Sequence, residues 1–231
     1  METIHLTSEE TKTEQARFIA RVYGWMCSAL VVTGVIAFWA AATPAVLETL
    51  LANRILFYAL LLGEFGCVMY LSSVIGKIAS RTALLFFMLY ACLNGLTFSM
   101  IFLIYTAQSI STAFFTTAVT FGVMSIYGYS TKRDLTSLGQ LAFTMLIGLI
   151  IATVVNLFFA NETISWIINY AGVLIFVGLT AYDTQKIKNM YQAGTEGSEE
   201  VKKESIMGAL ALYLDFINLF LFLLRFLGRR K

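Results

Sequence analysis

The sequence predicts an all-α integral membrane protein, built as a bundle of seven transmembrane helices. Of its 231 residues 58% are hydrophobic and only 13% are charged, whereas about 25% of the residues in a soluble domain are charged. So little charge cannot cover a water-exposed surface, which excludes a soluble globule and a disordered chain. The long apolar runs also differ from the alternating segments of a membrane β-barrel. A formal net charge of +2 is too small for a nucleic-acid binder.

Seven apolar stretches are each long enough to cross a bilayer, which takes about 20 residues in a helix. In chain order they are Phe18–Ala41, Ile55–Ile75, Ala83–Tyr105, Ser111–Tyr129, Leu138–Phe159, Trp166–Ile187 and Ile206–Leu227. Residues 1–17 form a polar tail without the features of a secretory signal, so the first stretch is expected to be retained as a span. Residues 18–231 are then a single membrane domain. The polar segment Lys188–Ser205, with Gly194 and Gly197, is predicted to be a solvated loop.

The distribution of lysine and arginine predicts a cytoplasmic N-terminus. One side of the membrane collects Lys12, Arg17, Arg21, Lys77, Arg81, Lys132, Arg133, Lys186, Lys188, Lys202 and Lys203, and the opposite loops hold only Arg54. The basic C-terminal end, from Arg225 to Lys231, lies outside if the last stretch crosses the membrane and inside if it turns back. Since Asp215 interrupts that stretch, a re-entrant helix stays open, although seven crossings are favoured.

Three acidic residues fall within the spans, namely Glu64, Asp183 and Asp215. An acidic side chain at the bilayer centre costs about 2.5–3.5 kcal/mol even on insertion scales. Glu64 and Asp215 each lie about 13 Å inside their helices. Asp183 lies about 6 Å from the boundary if its helix ends at Ile187, but about 12 Å deep if the helix continues through Met190 and Tyr191. Only the longer helix brings Asp183 level with Asp215.

Two carboxylates in contact in a low dielectric cannot both ionise cheaply, so such a pair titrates as a unit. This chemistry suits a proton-controlled switch, a cation site or a catalytic dyad. The alternatives are structural: a salt bridge between Asp183 and Lys186, and a hydrogen bond from Asp215 to Asn218 or to a neighbouring hydroxyl. Glu64 would line a cation path or make a protonated contact between helices.

Other polar residues near the spans have two readings each. Arg81, at the cytoplasmic mouth between the second and third spans, is a candidate counter-ion for the acids or an ordinary positive-inside anchor. The third span carries a polar stripe, formed by Asn94, Thr97 and Ser99. This stripe either lines the bundle interior or holds neighbouring helices together.

The residue inventory excludes several activities. His5 is the only histidine and lies in the polar tail, so no Ser–His dyad or histidine-ligated metal is available inside the membrane. The three cysteines, Cys27, Cys67 and Cys92, are dispersed and match neither a disulfide framework nor a zinc site. No lysine lies at the middle of a span to carry retinal.

An intramembrane aspartyl protease remains an alternative, because Tyr182-Asp183 and Asp215 on consecutive spans imitate its pair of aspartates. The second aspartate lacks the expected G-x-G-D motif, however, and the only proline, Pro44, provides no P-A-L element.

Four segments carry a family resemblance: Asn94–Ser99 (NGLTFS), Tyr127–Leu135 (YGYSTKRDL), Thr180–Gln185 (TAYDTQ) and Leu212–Phe220 (LYLDFINLF). With these motifs the chain resembles the Bax-inhibitor family of membrane proteins (the transmembrane BAX-inhibitor-motif proteins), in its prokaryotic form, over nearly its whole length after residue 17. The last two motifs are the most specific.

The resemblance implies six helices around a central hydrophobic seventh, and a pH-sensitive calcium leak in a bacterial inner membrane. It maps the proton sensor and gate onto Asp183 and Asp215, the counter-ion onto Arg81 and an acidic pore residue onto Glu64. The expected activity is therefore a passive, proton-regulated calcium leak, without catalysis or a cofactor. Its expected partners are the lipid bilayer, calcium ions and protons, and unidentified membrane proteins could join them. The rival classes are the protease and a non-conducting scaffold for other membrane proteins.

Overall fold

The computed structural model describes residues 7–191, 197–229 and 231. His5 and Gly194 lie outside the described residues. The predicted polar loop Lys188–Ser205 is wrong at both ends, because residues 188–190 and 199–205 are helical. The described chain is almost entirely helical and contains no β-strand. Its helices are α1 (Ser8–Ala42), α2 (Pro44–Ala52), α3 (Arg54–Val74), α4 (Ser80–Phe98), α5 (Ile101–Ile104), α6 (Ala107–Ser130), α7 (Thr136–Phe159), α8 (Glu162–Met190) and α9 (Glu199–Leu227).

In the described part of the chain, seven spans are long and apolar enough to cross a membrane, which confirms the predicted all-α membrane fold. They are α1, α3, α6, α7, α8 and α9, together with α4 and α5 as one span, Ser80–Ile104. Helix α9 is unbroken from Glu199 to Leu227, so the described residues do not form the re-entrant alternative.

Several predicted boundaries are wrong, each for a local reason. Helix α1 begins at Ser8 rather than Phe18, because Thr7 and Glu10 form a capping box that starts the helix within the polar tail. The short helix α2 was not predicted; Pro44 occupies its first turn, where a missing N–H costs nothing. Helix α8 continues past Ile187 to Met190 and ends one residue before Tyr191, which is close to the longer of the two predicted helices; the depth of Asp183 in a membrane stays a prediction.

The described contacts group the chain into two compact units. Of the described residues, unit 1 comprises 7–104, 190–191, 197–213 and 231, and unit 2 comprises 105–189 and 214–229. In unit 1, α1 and α3 pack against α4, and Gly95 on α4 allows α1 to approach so closely that an added Cβ would lie 2.7 Å from the Cβ of Ile36. The polar tail and single membrane domain expected from the sequence stay a prediction.

Unit 2 is built from α6, α7, α8 and the second half of α9. Phe216 of α9 packs edge-on against Phe114 and Phe121 of α6, with ring centroids 5.6 and 5.4 Å apart. Phe222 of α9 stacks on Phe176 of α8 at 5.8 Å. These aromatic contacts define the register of α9 against its neighbours in this unit.

Helix α9 is the most enclosed of the seven spans. In its most apolar 18-residue window 67% of the residues are buried, compared with 6% in α3 and 11% in α7. Since α3 and α7 are apolar and exposed, their outer faces suit lipid as the solvent. The burial of α9 agrees with the enclosed position expected for the last helix.

Candidate functional site

Asp183 of α8 and Asp215 of α9 come together in unit 2. The Asp215 side chain is buried, with 4% of its surface exposed, and Asp183 is half-buried. Their carboxyl groups lie close enough to interact with each other electrostatically. Two carboxyl groups that interact in this way titrate as a coupled pair, and one proton between them would join them by a hydrogen bond.

Two structural alternatives were expected for the aspartates, a salt bridge of Asp183 with Lys186 and a hydrogen bond of Asp215 with Asn218, and the structure agrees with them only in part. Lys186, one turn after Asp183, interacts with it electrostatically, and its ammonium lies 5.9 Å from the centre of the Tyr182 ring. Asn218 donates to the Leu214 carbonyl at 2.8 Å, which directs its amide to the backbone of its own helix. Oδ2 of Asp215 is buried without a hydrogen-bond partner among the described residues.

Gln185 anchors α8 next to Asp183. Its Oε1 accepts a hydrogen bond from the Leu135 N–H at 2.9 Å, and its Nε2 donates to the Arg133 carbonyl at 2.8 Å. The Gln185 side chain thereby binds one backbone donor and one backbone acceptor of the segment that joins α6 to α7. The sequence analysis missed this role, although Gln185 and the segment it binds belong to two of the motifs that carry the family resemblance.

Close backbone approach holds the same stretch of α8 on two further sides. An added Cβ at Gly128 of α6 would overlap the Ala181 carbonyl, and one at Gly139 of α7 would overlap the Tyr182 ring. Lys188 donates to the Tyr129 carbonyl at 2.7 Å. Because these contacts and Gln185 determine the rotation of α8, they leave Asp183 directed towards α9.

Ser125 of α6 is a second polar residue that the sequence analysis missed. It lies at helical spacing between Phe121, which contacts α9, and Gly128, which contacts α8. Its side chain is 7% exposed, and its hydroxyl has no hydrogen-bond partner among the described residues. Buried polar atoms in native proteins usually bind a partner or an ordered water, so Ser125 and Asp215 both retain bonding capacity in this unit.

The segment between α6 and α7 carries an exposed acid outside the spans. Thr136 donates its hydroxyl and its backbone N–H to Asp134, at 2.6 and 2.9 Å. These hydrogen bonds, the hydroxyl's above all, lower the pKa of the Asp134 carboxyl.

Glu64 lies in unit 1, on α3, where it is half-buried and accepts a hydrogen bond from the Thr97 hydroxyl of α4. Its charge also acts on Tyr90 and Tyr213. The contact between helices foreseen for Glu64 is therefore present, while its role in a cation path stays a prediction. Asn94, from the same polar stripe as Thr97, is buried, and its Nδ2 has no hydrogen-bond partner among the described residues.

Arg81 occupies the first turn of α4 with its side chain exposed. It belongs to unit 1, whereas the aspartate pair belongs to unit 2. Its role as counter-ion stays a prediction. Within the described part of the chain, no group of three or more His, Cys, Asp or Glu side chains could hold a metal ion.

Comparison with known proteins identifies the family to which the chain is similar. The model of the family described as "Inhibitor of apoptosis-promoting Bax1" matches residues 15–231. The chain is 48% identical over 215 residues to the inner membrane protein YbhL of Escherichia coli K12, covering 93% of this chain and 92% of that protein. A Borreliella burgdorferi protein is 42% identical, with 99% of each chain covered. A Deinococcus radiodurans protein is 39% identical, with 97% of this chain and 95% of that protein covered.

Proposed function

The chain belongs to the Bax inhibitor family of integral membrane proteins, and from this premise we propose that it is a passive calcium leak regulated by protons. The observation that supports the proposal is the electrostatic interaction between the carboxyl groups of Asp183 and Asp215. Both belong to membrane-spanning helices, where ionisable residues are rare and mark functional sites. A bacterial inner membrane with the N-terminus in the cytoplasm is the proposed location.

The pair acts as a switch because its proton determines the force between α8 and α9. With one proton shared, the two carboxyl groups attract each other through a hydrogen bond. Without that proton both carboxyl groups are negatively charged and repel each other. With a second proton both groups are neutral, so a shared proton no longer holds them together. A change in pH therefore shifts α9 between a packed and a displaced position.

Calcium is the substrate of this activity and not a resident cofactor. Ca²⁺ prefers carboxylate, carbonyl and water oxygens, and the Glu64 carboxylate offers such a ligand on another span. Glu64 would attract the cation, while Asp183 and Asp215 control passage. No catalytic step is part of the proposal.

Calcium flux into liposomes tests the proposal. The purified protein is reconstituted in vesicles that contain a calcium-sensitive dye, and uptake is followed over a range of pH. The intact protein should give a leak that depends on pH. Asp183→Asn and Asp215→Asn should make the leak roughly independent of pH, because an amide cannot take part in the titration.

Asp134→Asn is the matched control, since it removes an exposed carboxylate outside the spans and should leave the pH response intact. A leak with an unchanged pH response in both pair variants would overturn the switch, and the absence of flux from the intact protein would overturn the leak. Cleavage of a helical substrate without flux would instead favour the protease, and neither activity would favour the scaffold.

A further inference from the structure

A polar cavity of about 490 Å³ lies in unit 2 where α7 ends and α8 begins. Its polar lining comes from Thr153 and Asn156 of α7, Ser165 and Asn169 of α8, and Arg225 of α9. This volume is in the range of small-molecule sites. Along α8, Asn169 lies about 21 Å from Asp183, so the cavity is separate from the aspartate pair.

One wall of the cavity is held by hydrogen bonds. Nδ2 of Asn156 donates to the Ser165 hydroxyl at 2.7 Å, and Oδ1 of Asn156 accepts from the Asn161 N–H at 3.0 Å. The end of α7 and the start of α8 are thereby joined. Because the Asn156 amide is used in this way, it shapes the cavity rather than serving a ligand.

Arg225 and Asn169 supply the donors that remain. The stacking of Phe176 on Phe222 sets α8 against α9. Towards the cavity, Asn169 follows two turns from Phe176 on α8, and Arg225 follows about one turn from Phe222 on α9. The Arg225 guanidinium lies 5.8 Å from the centre of the Phe222 ring. Among the described residues, neither Arg225 nor Asn169 has a carboxylate partner, and no acidic side chain lines the cavity. The cavity is therefore positively charged.

Aromatic side chains place this end of unit 2 at the level of lipid headgroups. Phe226 packs against Trp166 and Tyr170 with ring centroids 6.1 and 5.0 Å apart. Trp166 and Tyr170 are about half exposed, at 51% and 54%. Exposed Trp and Tyr at helix ends form the aromatic belt of membrane proteins, which lies at the headgroup level.

We propose that this cavity binds a phosphate group, carried by the headgroup of an anionic phospholipid. The planar guanidinium of Arg225 matches two phosphate oxygens, and the Asn169 amide donates to another. The apolar surface beside the aromatic belt accommodates the acyl chains. This site does not depend on the proposed calcium leak.

Lipid binding to the purified protein in a neutral detergent tests the proposal. Phosphatidylglycerol, phosphatidylcholine and inorganic phosphate are titrated separately, and binding is read from the rise in melting temperature and from native mass spectrometry. We expect phosphatidylglycerol to stabilise the intact protein most. Arg225→Gln should weaken its binding about ten-fold or more, since a charge-assisted contact is lost, and Asn169→Leu should weaken it less.

Arg229→Gln is the matched control, because Arg229 is also exposed near the end of α9 but does not line the cavity. The site would be overturned if Arg225→Gln and Arg229→Gln weakened lipid binding equally. Unchanged lipid binding in both Arg225→Gln and Asn169→Leu would also overturn it. Inorganic phosphate at the same concentration as the lipid could also stabilise the protein in a way that Arg225→Gln abolishes. That result would overturn the lipid as the source of the phosphate.

Discussion

Gln185 shows how one uncharged residue can orient an ionisable one. Asp183 and Gln185 are two residues apart on α8, so they face nearly opposite sides of the helix. Gln185 binds the Leu135 N–H and the Arg133 carbonyl while Asp183 interacts with Asp215 on α9. Rotation of α8 cannot change one contact without straining the other.

Replacing Gln185 should therefore destabilise the protein. Gln185→Leu leaves the Leu135 N–H and the Arg133 carbonyl without a partner, and we expect a loss of about 1–3 kcal/mol in the free energy of unfolding. Chemical unfolding in mixed micelles measures it. The matched control is Gln140→Leu at an exposed position of α7, which should change stability by less than about 0.5 kcal/mol. Equal effects of the two substitutions would contradict the anchoring role.

A second hydrogen-bonded residue holds α9 in unit 1. The Thr33 hydroxyl donates to the Ala91 carbonyl at 2.9 Å and lies 2.7 Å from the Tyr213 hydroxyl. Since Thr33 has a single hydroxyl proton, which it gives to Ala91, Tyr213 must be the donor in the other bond. Tyr213 is fully buried, with Phe87 and Tyr90 edge-on to its ring at 5.7 Å each.

This direction of donation predicts unequal effects at the two residues. Thr33→Val strands the buried Tyr213 hydroxyl and should lower the free energy of unfolding by about 1–3 kcal/mol. Tyr213→Phe leaves Thr33 bonded to Ala91 and should cost only about 0.5–1.5 kcal/mol. A double-mutant cycle should show less than the sum of the two losses. Thr144→Val, at an exposed site, is the control. Additive losses in the Thr33 and Tyr213 variants would refute the hydrogen bond between these two residues.

At the scale of helices, glycine controls how closely α6 approaches α8. Gly128 has no room for a side chain because the Ala181 carbonyl lies opposite its Cα. Gly122, on the same helix, has no neighbour within 4 Å of an added Cβ. Small residues allow this kind of close packing between helices in membranes, so two glycines of one helix have different roles.

Alanine at each glycine separates these roles. Gly128→Ala must push α6 and α8 apart, and we expect it to lower the free energy of unfolding by about 1–3 kcal/mol. Gly122→Ala should be neutral or stabilise the helix by up to about 1 kcal/mol. Both are measured by unfolding in mixed micelles. A loss at Gly122 as large as the loss at Gly128 would show that the α6–α8 contact is not the cause.

At the scale of the whole molecule, orientation in the membrane follows from charge. The asymmetry of lysine and arginine along the chain predicts a cytoplasmic N-terminus. Seven spans then bring the C-terminus to the opposite side of the membrane.

Reporter fusions test this orientation. Alkaline phosphatase fused after Lys231 should be active, and green fluorescent protein fused there should stay dark, because the phosphatase needs a non-cytoplasmic and the fluorophore a cytoplasmic location. A fusion truncated after Lys132, between α6 and α7, is the internal control and should give the reverse pattern. Fluorescence from the fusion at Lys231 would contradict the orientation.

The number of membrane-spanning helices was predicted from the sequence alone. Hydropathy is a local property, so a run of apolar residues predicts a span wherever it packs. Acidic residues such as Asp183 and Asp215 stand out for the same reason. Helix ends were predicted less well, since the capping box at Thr7 lies in a polar stretch that hydropathy overlooks.

Only the tertiary structure decided which residues meet. The packing of α8 brings Asp183 close enough to Asp215 for their carboxyl groups to interact, and the same packing gives Gln185, Ser125 and Gly128 their roles. In the sequence these three are an ordinary amide, hydroxyl and glycine. What each does depends on the rotation of its helix and on the group opposite, and that group is distant along the chain, where no local pattern records it.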